Sequence, residues 1–189
     1  MSSWRCCKRT TMGQIYDPTQ VLLIIAASSR HDVALDWARQ QIEATYGAIA
    51  LASDAFAFTE TDYYAATMGD DLKKQFLACE RLVDPGKLAS IKRQTNEWEA
   101  EYAAFGRHAE SRPLNLDPGY VTPAKLVLAS TKDHAHRLYL ADGIYAEVTL
   151  AYRARAWQPQ DWTYPDFRRA DYHEFFTSCR ELLLNSRCP

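Results

Sequence analysis

The residues able to do chemistry cluster between Asn115 and Glu147. His134 and His136 are two apart, the spacing that turns side chains to one face of a strand, and Glu147 follows beyond Asp142-Gly143. Imidazole with carboxylate suits a zinc-type metal or a proton relay. Asp117 sits in Asn115-Leu-Asp-Pro-Gly-Tyr120, and Lys125, Lys132 and Arg137 follow it closely enough to converge on one phosphate or carboxylate. We therefore expect Asp117, Glu147 and His136 as catalytic candidates, the carboxylates as acid–base groups or cation ligands and His136 as proton carrier. Lys125, Arg137, Lys132, Asn115 and Tyr120 are the ligand-binding candidates; no metal is assigned and the cofactor is unspecified. Each residue has a structural alternative. Glu147 also suits an ion pair with Arg137 or Lys125, Asp117 also suits a turn that binds its own backbone, and two histidines also suit a half-solvated strand face.

Positioning these groups falls to a hairpin. Leu138 to Leu150 alternates around Asp142-Gly143, a pair that supplies the positive φ angles of a two-residue type I′ turn. If Ala141 opposes Ile144, then Leu138 opposes Glu147 and His136 opposes Thr149. One face then carries His134, His136, Tyr145, Glu147 and Thr149, and the other carries Ile144, Ala146, Val148 and Leu150. The same register puts Arg137 on the face opposite Glu147 and His136, so these three cannot all share a pocket under it.

Upstream, the continuous apolar run Val21 to Ala27 reads as a central strand covered on both faces. Leu35, Ala38, Ile42 and Tyr46 form a helical stripe that stops at Gly47, with Ser29 as its cap. Ile49 to Phe58 reads as a strand bulged near Ser53 and Asp54, and Lys74 to Val83 as the next strand, joined by a long connection containing Asp62, Tyr63 and Tyr64. Asp84-Pro85 opens a helix with apolar positions at Leu88, Ile91, Thr95, Trp98 and Tyr102. Leu114 to Tyr120 reads as a short strand ending in a type II turn. The order βαββαβ predicts an α+β fold with a ferredoxin-like core, both helices on one sheet face, extended by the β-hairpin and a C-terminal helix through Tyr172, Phe176, Cys179 and Leu183. Thr122-Pro123 predicts a short helix over 124–130, with a strand as the alternative, and the aromatic group Trp157, Trp162, Tyr164 and Phe167 predicts a lid over the core.

Composition excludes several classes. A net charge of −2 and a pI near 6.2 give no overall positive field toward nucleic acid or anionic membrane, and the longest apolar run is far shorter than the ~20 residues of a membrane-spanning helix. Five cysteines without a C-x-x-C spacing read as reduced thiols of a cytoplasmic protein, with Cys79 and Cys179 in the core. Nucleotide P-loop, G-x-G-x-x-G, G-x-S-x-G and H-E-x-x-H patterns are absent. Residues 1–15 are expected to be a loosely attached tail and 16–189 a single domain.

Thr61-Asp-Tyr-Tyr64 with Met68-Gly69, Glu80-Arg-Leu-Val-Asp-Pro85, Asn115-Leu-Asp-Pro-Gly-Tyr120, Lys125-Leu-Val-Leu-Ala129, His136-Arg137, Gly143-Ile-Tyr-Ala-Glu-Val-Thr-Leu150 and Trp162-Thr-Tyr-Pro-Asp166 together resemble a bacterial family known as domain of unknown function 4416. The resemblance implies membership and no activity. A GTP-binding label sometimes given to members implies, in this chain, only a mode of binding without a P-loop.

The functional expectation is a cytoplasmic protein that binds a small anionic or phosphorylated ligand in a cleft near the Asp-Pro-Gly turn and the Asp-Gly hairpin, with catalysis left open. A noncatalytic protein-interaction module and a metal-dependent hydrolase using His134, His136 and Glu147 are the alternatives.

Overall fold

Strand β1 (Leu22–Ser29) is buried along its whole length, as a continuous apolar run requires when both sheet faces are covered. The computed structural model describes residues 15–61 and 64–186. The expected tail up to residue 14, Cys6, Cys7, Cys188, Asp62 and Tyr63 lie outside them.

In chain order the elements are β1, α1 (Asp32–Tyr46), β2 (Ile49–Ala52), β3 (Phe56–Ala57), the short α2 (Ala65–Met68), β4 (Lys73–Cys79), α3 (Leu88–Ala104), β5 (Asn115–Val121), β6 (Lys125–Ser130), β7 (Leu138–Ala141), β8 (Ile144–Arg153), β9 (Ala156–Pro159) and α4 (Ala170–Asn185). The fold is mixed α+β. Among the described residues nine strands make one antiparallel sheet in the order β2-β4-β1-β5-β6-β8-β7, with β3 paired to β4 and β9 to β8. No helix among them is long and apolar enough to cross a membrane.

Alternation along β1 supplies two cores. Leu23, Ile25 and Ala27 face α1 and α3, meeting Leu35, Ala38, Ile42, Ile91, Trp98 and Tyr102. Leu22, Ile24 and Ala26 face α4, where Phe76 of β4 packs against Tyr172 and Phe176 at ring distances of 4.7 and 5.0 Å. Removing a ring so enclosed typically costs about 3–5 kcal/mol, so α4 is integral to the fold. Cys79 and Cys179 lie in these cores with no exposed surface.

Three local expectations are corrected. Ile49 to Phe58 is two short strands on β4 rather than one bulged strand, because Ser53 leaves the ladder and bonds Phe76 through both its amide and its hydroxyl. Residues 125–130 are strand β6, not helix: Thr122 accepts from the amides of Ala124 and Lys125 and donates its own to the Lys125 carbonyl, closing a tight turn between β5 and β6. Asp117-Pro-Gly119 does not turn the chain; all three residues lie inside β5, paired to Ala26, Ile25 and Ile24 of β1.

That last correction opens the sheet. All of β5 pairs with β1, but its pairing with β6 covers only Gly119↔Leu128, Tyr120↔Val127 and Val121↔Leu126. The next rung would join Pro118 to Ala129. Leu116 turns its backbone amide and carbonyl away from β1, toward side chains of α3, and strand alternation makes Pro118 the next residue to do so. Proline has no amide to donate there, and β6 departs while still paired to β8. Gly119 marks the point of closest approach, since a Cβ on it would lie 2.3 Å from the Val127 carbonyl oxygen and 2.6 Å from Leu128. Gly119→Ala should therefore destabilise the fold by about 3 kcal/mol, read as a lowered midpoint in urea unfolding; an unchanged midpoint would mean that β5 and β6 are not in such close contact.

Candidate functional site

Where the two strands part, α3 fills the opening from behind. Its apolar stripe faces the sheet, and a neighbouring stripe of Lys92, Asn96 and Glu99 points into the gap. Lys92 donates to the Leu116 carbonyl at 2.7 Å, and Glu99 accepts from the Leu116 amide at 2.7 Å. These two side chains thus satisfy backbone groups that β6 leaves without a strand partner, a necessity for a buried edge. Lys92, only 4% exposed, also holds Asp117 at 3.0 Å. Arg112 bonds Glu99 at 2.8 Å and also the Asn115 side-chain oxygen, while the Asn115 amide donates to Asp117 at 2.7 Å.

In front of the gap lies a cavity of about 560 Å³, within the range of small-molecule pockets. Ala26 and Leu128 form its floor. Phe58, Glu60, Thr61 and Tyr64 wall one side, and Tyr164 to Phe167 wall another. Lys74 crosses between these walls: it donates to Asp166 at 2.6 Å with both side chains 7% exposed or less, and its ammonium sits 3.6 Å from the Phe58 ring centre. Trp162 donates to the Val148 carbonyl and Thr163 to that of Thr149, which fastens the 160–169 segment over the sheet. The expected aromatic lid exists in part. Trp157 and Phe167 are buried, whereas Trp162 and Tyr164 remain exposed at its outer surface.

The hairpin supplies the remaining wall. Asp142 and Gly143 have the positive φ angles expected of their turn, and Ala141 opposes Ile144. The register then slips by one because Leu140 is an extra residue, so that Leu138 opposes Ala146 and not Glu147. A second irregularity, in the β6–β8 pairing, moves Leu150 away from Ile144, Ala146 and Val148 into the α4-side core. His136 and Arg137 precede β7 and are free of strand alternation. Both therefore reach Glu147, His136 at 3.0 Å and Arg137 at 2.8 Å, which removes the conflict that the expected register imposed on Arg137. Arg137 also donates to Ser130, the Lys132 carbonyl and the Tyr164 hydroxyl.

Of the predicted residues, Asp117, Glu147, Asn115, Lys132 and Arg137 line the cavity. His136 stands behind Glu147, stacked on Trp162 with ring centres 5.2 Å apart. Lys125 and Tyr120 are not in the lining: Lys125 is exposed beside the Thr122 turn, and Tyr120 packs on the α3 side of the sheet. Sequence reading passed over Lys74, Lys92, Glu99, Arg112 and Asp166. Two patterns could have exposed them. Lys74 alternates with Phe76 and Ala78, so a charge occupies a core-facing position, and Lys92, Asn96 and Glu99 repeat at helical spacing beside an apolar stripe.

Burial raises the Asp117 carboxyl, but Lys92, the Asn115 amide and the charge of Lys74 outweigh it and hold the group at about 2. Burial also pushes Glu99 upward, against the pull of Lys92 and Arg112. It lifts the Tyr64 phenol well above its ordinary range, with help from Asp117, so this hydroxyl stays protonated. Cys79 is pushed by burial to about 12, which rules it out as a thiolate nucleophile. Asp117 thus acts as a fixed anion that holds Lys92 in place.

Residues 18–183 match the family described as Domain of unknown function (DUF4416). Neither the curated proteins nor the solved structures contain a match to the chain.

Two predictions follow from the ion pairs. Lys92→Ala leaves Asp117 and the Leu116 carbonyl without their buried partner and should cost about 3–5 kcal/mol in denaturant unfolding; a loss under about 1 kcal/mol would contradict the contact. Because the folded carboxyl of Asp117 lies below its ordinary 3.8, its contribution is present above that value and is lost as pH falls toward about 2. The stability difference between wild type and Asp117→Asn should accordingly shrink across this interval, and a difference that stays constant there would remove Asp117 from the charge network.

Proposed function

The chain belongs to the DUF4416 family, and we propose that it binds a small anionic or phosphorylated ligand in the cavity between β5, β6 and the 160–169 segment. One observation carries this reading: toward the described residues, two cavity cations keep donors in reserve. Lys74 uses one of its three on Asp166, and Arg112 uses Nε and Nη2, leaving Nη1. Lys92 and Arg137, by contrast, are engaged with strand carbonyls, carboxylates and hydroxyls. The anion-holding role expected for Lys125 and Arg137 passes to Lys74 and Arg112, while Asp117, Glu147 and Arg137 position the walls.

A nucleotide or sugar phosphate matches the cavity's mix of cations with the rings of Phe58, Tyr64 and Phe167. The sequence has no P-loop, and the reserve donors that carry this reading belong to side chains. The framework we read as ferredoxin-like, β2-β4-β1-β5 with α1 and α3 on one face, carries the rear of the site. A hydrolytic metal at His134, His136 and Glu147 is disfavoured because Arg137 already occupies Glu147 at 2.8 Å. The interaction-module reading keeps one supporting observation, the edge strand β7 with Leu138 76%, Tyr139 61% and Leu140 41% exposed. The buried free thiols of Cys79 and Cys179 support a reducing, cytoplasmic setting.

The test is thermal unfolding of wild type and Lys74→Met against pyrophosphate, sugar phosphates and nucleotides. At a hundredfold excess over its Kd a ligand adds about 2.7 kcal/mol, or roughly 5–10 °C for a chain of this size. We expect such a rise for at least one compound in wild type and its loss in the variant. A panel without any rise, or equal rises in both proteins, contradicts the proposal.

A further inference from the structure

Away from the cavity, a second group of chemically able side chains comes together at the start of α1. His31 precedes the helix, while His108 and Glu110 lie in the loop after α3, and one potential ligand atom from each falls within 4.8 Å of the others. Ser29 prepares this corner instead of capping α1: its hydroxyl accepts from the His31 amide at 3.0 Å and donates to the Pro113 carbonyl at 2.6 Å.

We propose that His31, His108 and Glu110 bind a divalent transition-metal ion of the zinc, cobalt and nickel class. His31 Nε2 and Glu110 Oε2 are 3.1 Å apart, and two ligands each about 2.1 Å from one metal stand about 3.0–3.4 Å from each other. The atoms a metal does not need are already held. Tyr102 bonds His108 Nε2 at 3.0 Å and Arg30 bonds Glu110 Oε1 at 3.1 Å, so His108 Nδ1 and Glu110 Oε2 are the atoms offered to the ion, which would take the place of the present hydrogen bond between Glu110 Oε2 and His31 Nε2. Partners of this kind orient metal ligands.

The two imidazoles stack, with ring centres 3.8 Å apart and planes at 21°; because an imidazole holds a metal in its own ring plane, one ring turns out of the stack as the ion binds. All three ligands are half-buried, which leaves an ion a route in and room for water at the remaining positions. Imidazole nitrogen with a single carboxylate selects this metal class over calcium or magnesium, which require more oxygen ligands. Arg30 weakens the site by its charge and so makes it exchangeable. Without an ion the same residues are a latch joining the 105–112 loop to α1, and the experiment must separate the two.

Cobalt titration of the full chain, followed by visible absorption, does so. Wild type is expected to take up one Co²⁺ with nitrogen–oxygen ligand-field bands and no thiolate charge transfer, and to release it to Zn²⁺. His108→Asn and Glu110→Gln should each weaken uptake roughly 100-fold, Tyr102→Phe about 10-fold, and His136→Asn not at all. Circular dichroism without metal shows whether each variant folds, and a variant that fails is replaced by His31→Asn, expected to behave as His108→Asn. No uptake by wild type, undiminished uptake by the folded ligand variants, or loss in His136→Asn overturns the proposal.

Discussion

A strand that contains proline cannot complete the ladder on the side where that proline's amide is due, and Pro118 places this defect in the middle of the sheet. β5 is held along its full length by β1, so it cannot move to compensate. The gap therefore falls on the β6 side, directly after the tight Gly119 contact. An unpaired strand edge in the interior is costly unless its backbone groups find partners. Leu116 finds them in Lys92 and Glu99. The opening, the charged stripe of α3 and the cavity in front are consequences of one missing hydrogen bond.

Those partners bring charge into the core, and each added charge demands another. Lys92 calls for Asp117, Glu99 for Arg112, and across the cavity Lys74 pairs with Asp166 and Glu147 with Arg137. Such pairs seldom stabilise a fold more than apolar residues of equal size, because desolvation offsets the attraction. Their accumulation around one cavity supports the proposed role in recognition. Lys92, Arg112 and Arg137 are also locked by several bonds each, so the proposed ligand would meet an arrangement largely formed and give up little affinity to ordering it.

The helical and strand framework was legible because its signals are local. Val21 to Ala27, the stripe of α1, the Asp84-Pro85 start and the Asp142-Gly143 turn each carry their instruction within a few residues. Asp117-Pro-Gly misled for the same reason: proline and glycine ordinarily break strands, and only the pairing with β1, almost a hundred positions earlier, shows that here they break a sheet. The hairpin face was legible in outline, since His136 and Glu147 do meet, but the extra residue Leu140 shifted the pairing and freed Arg137 to join them. Lys74, Arg112 and Asp166 escaped notice because each is ordinary in its own segment and acquires meaning only from a partner on another element. The His31, His108 and Glu110 group was invisible for the same cause, the two histidines standing 77 positions apart.

The account rests on the parted strands forming a ligand site, and a titration of isotope-labelled protein with pyrophosphate, followed by amide chemical shifts, tests it most directly. The predicted result is saturable change at Lys74, at Leu116 and Asp117 on one side of the gap, and at Ser130 to Lys132 on the other. Changes confined to Lys125 and the β7 surface, or shifts that never saturate, would show that the opening in the sheet is not where the anion goes.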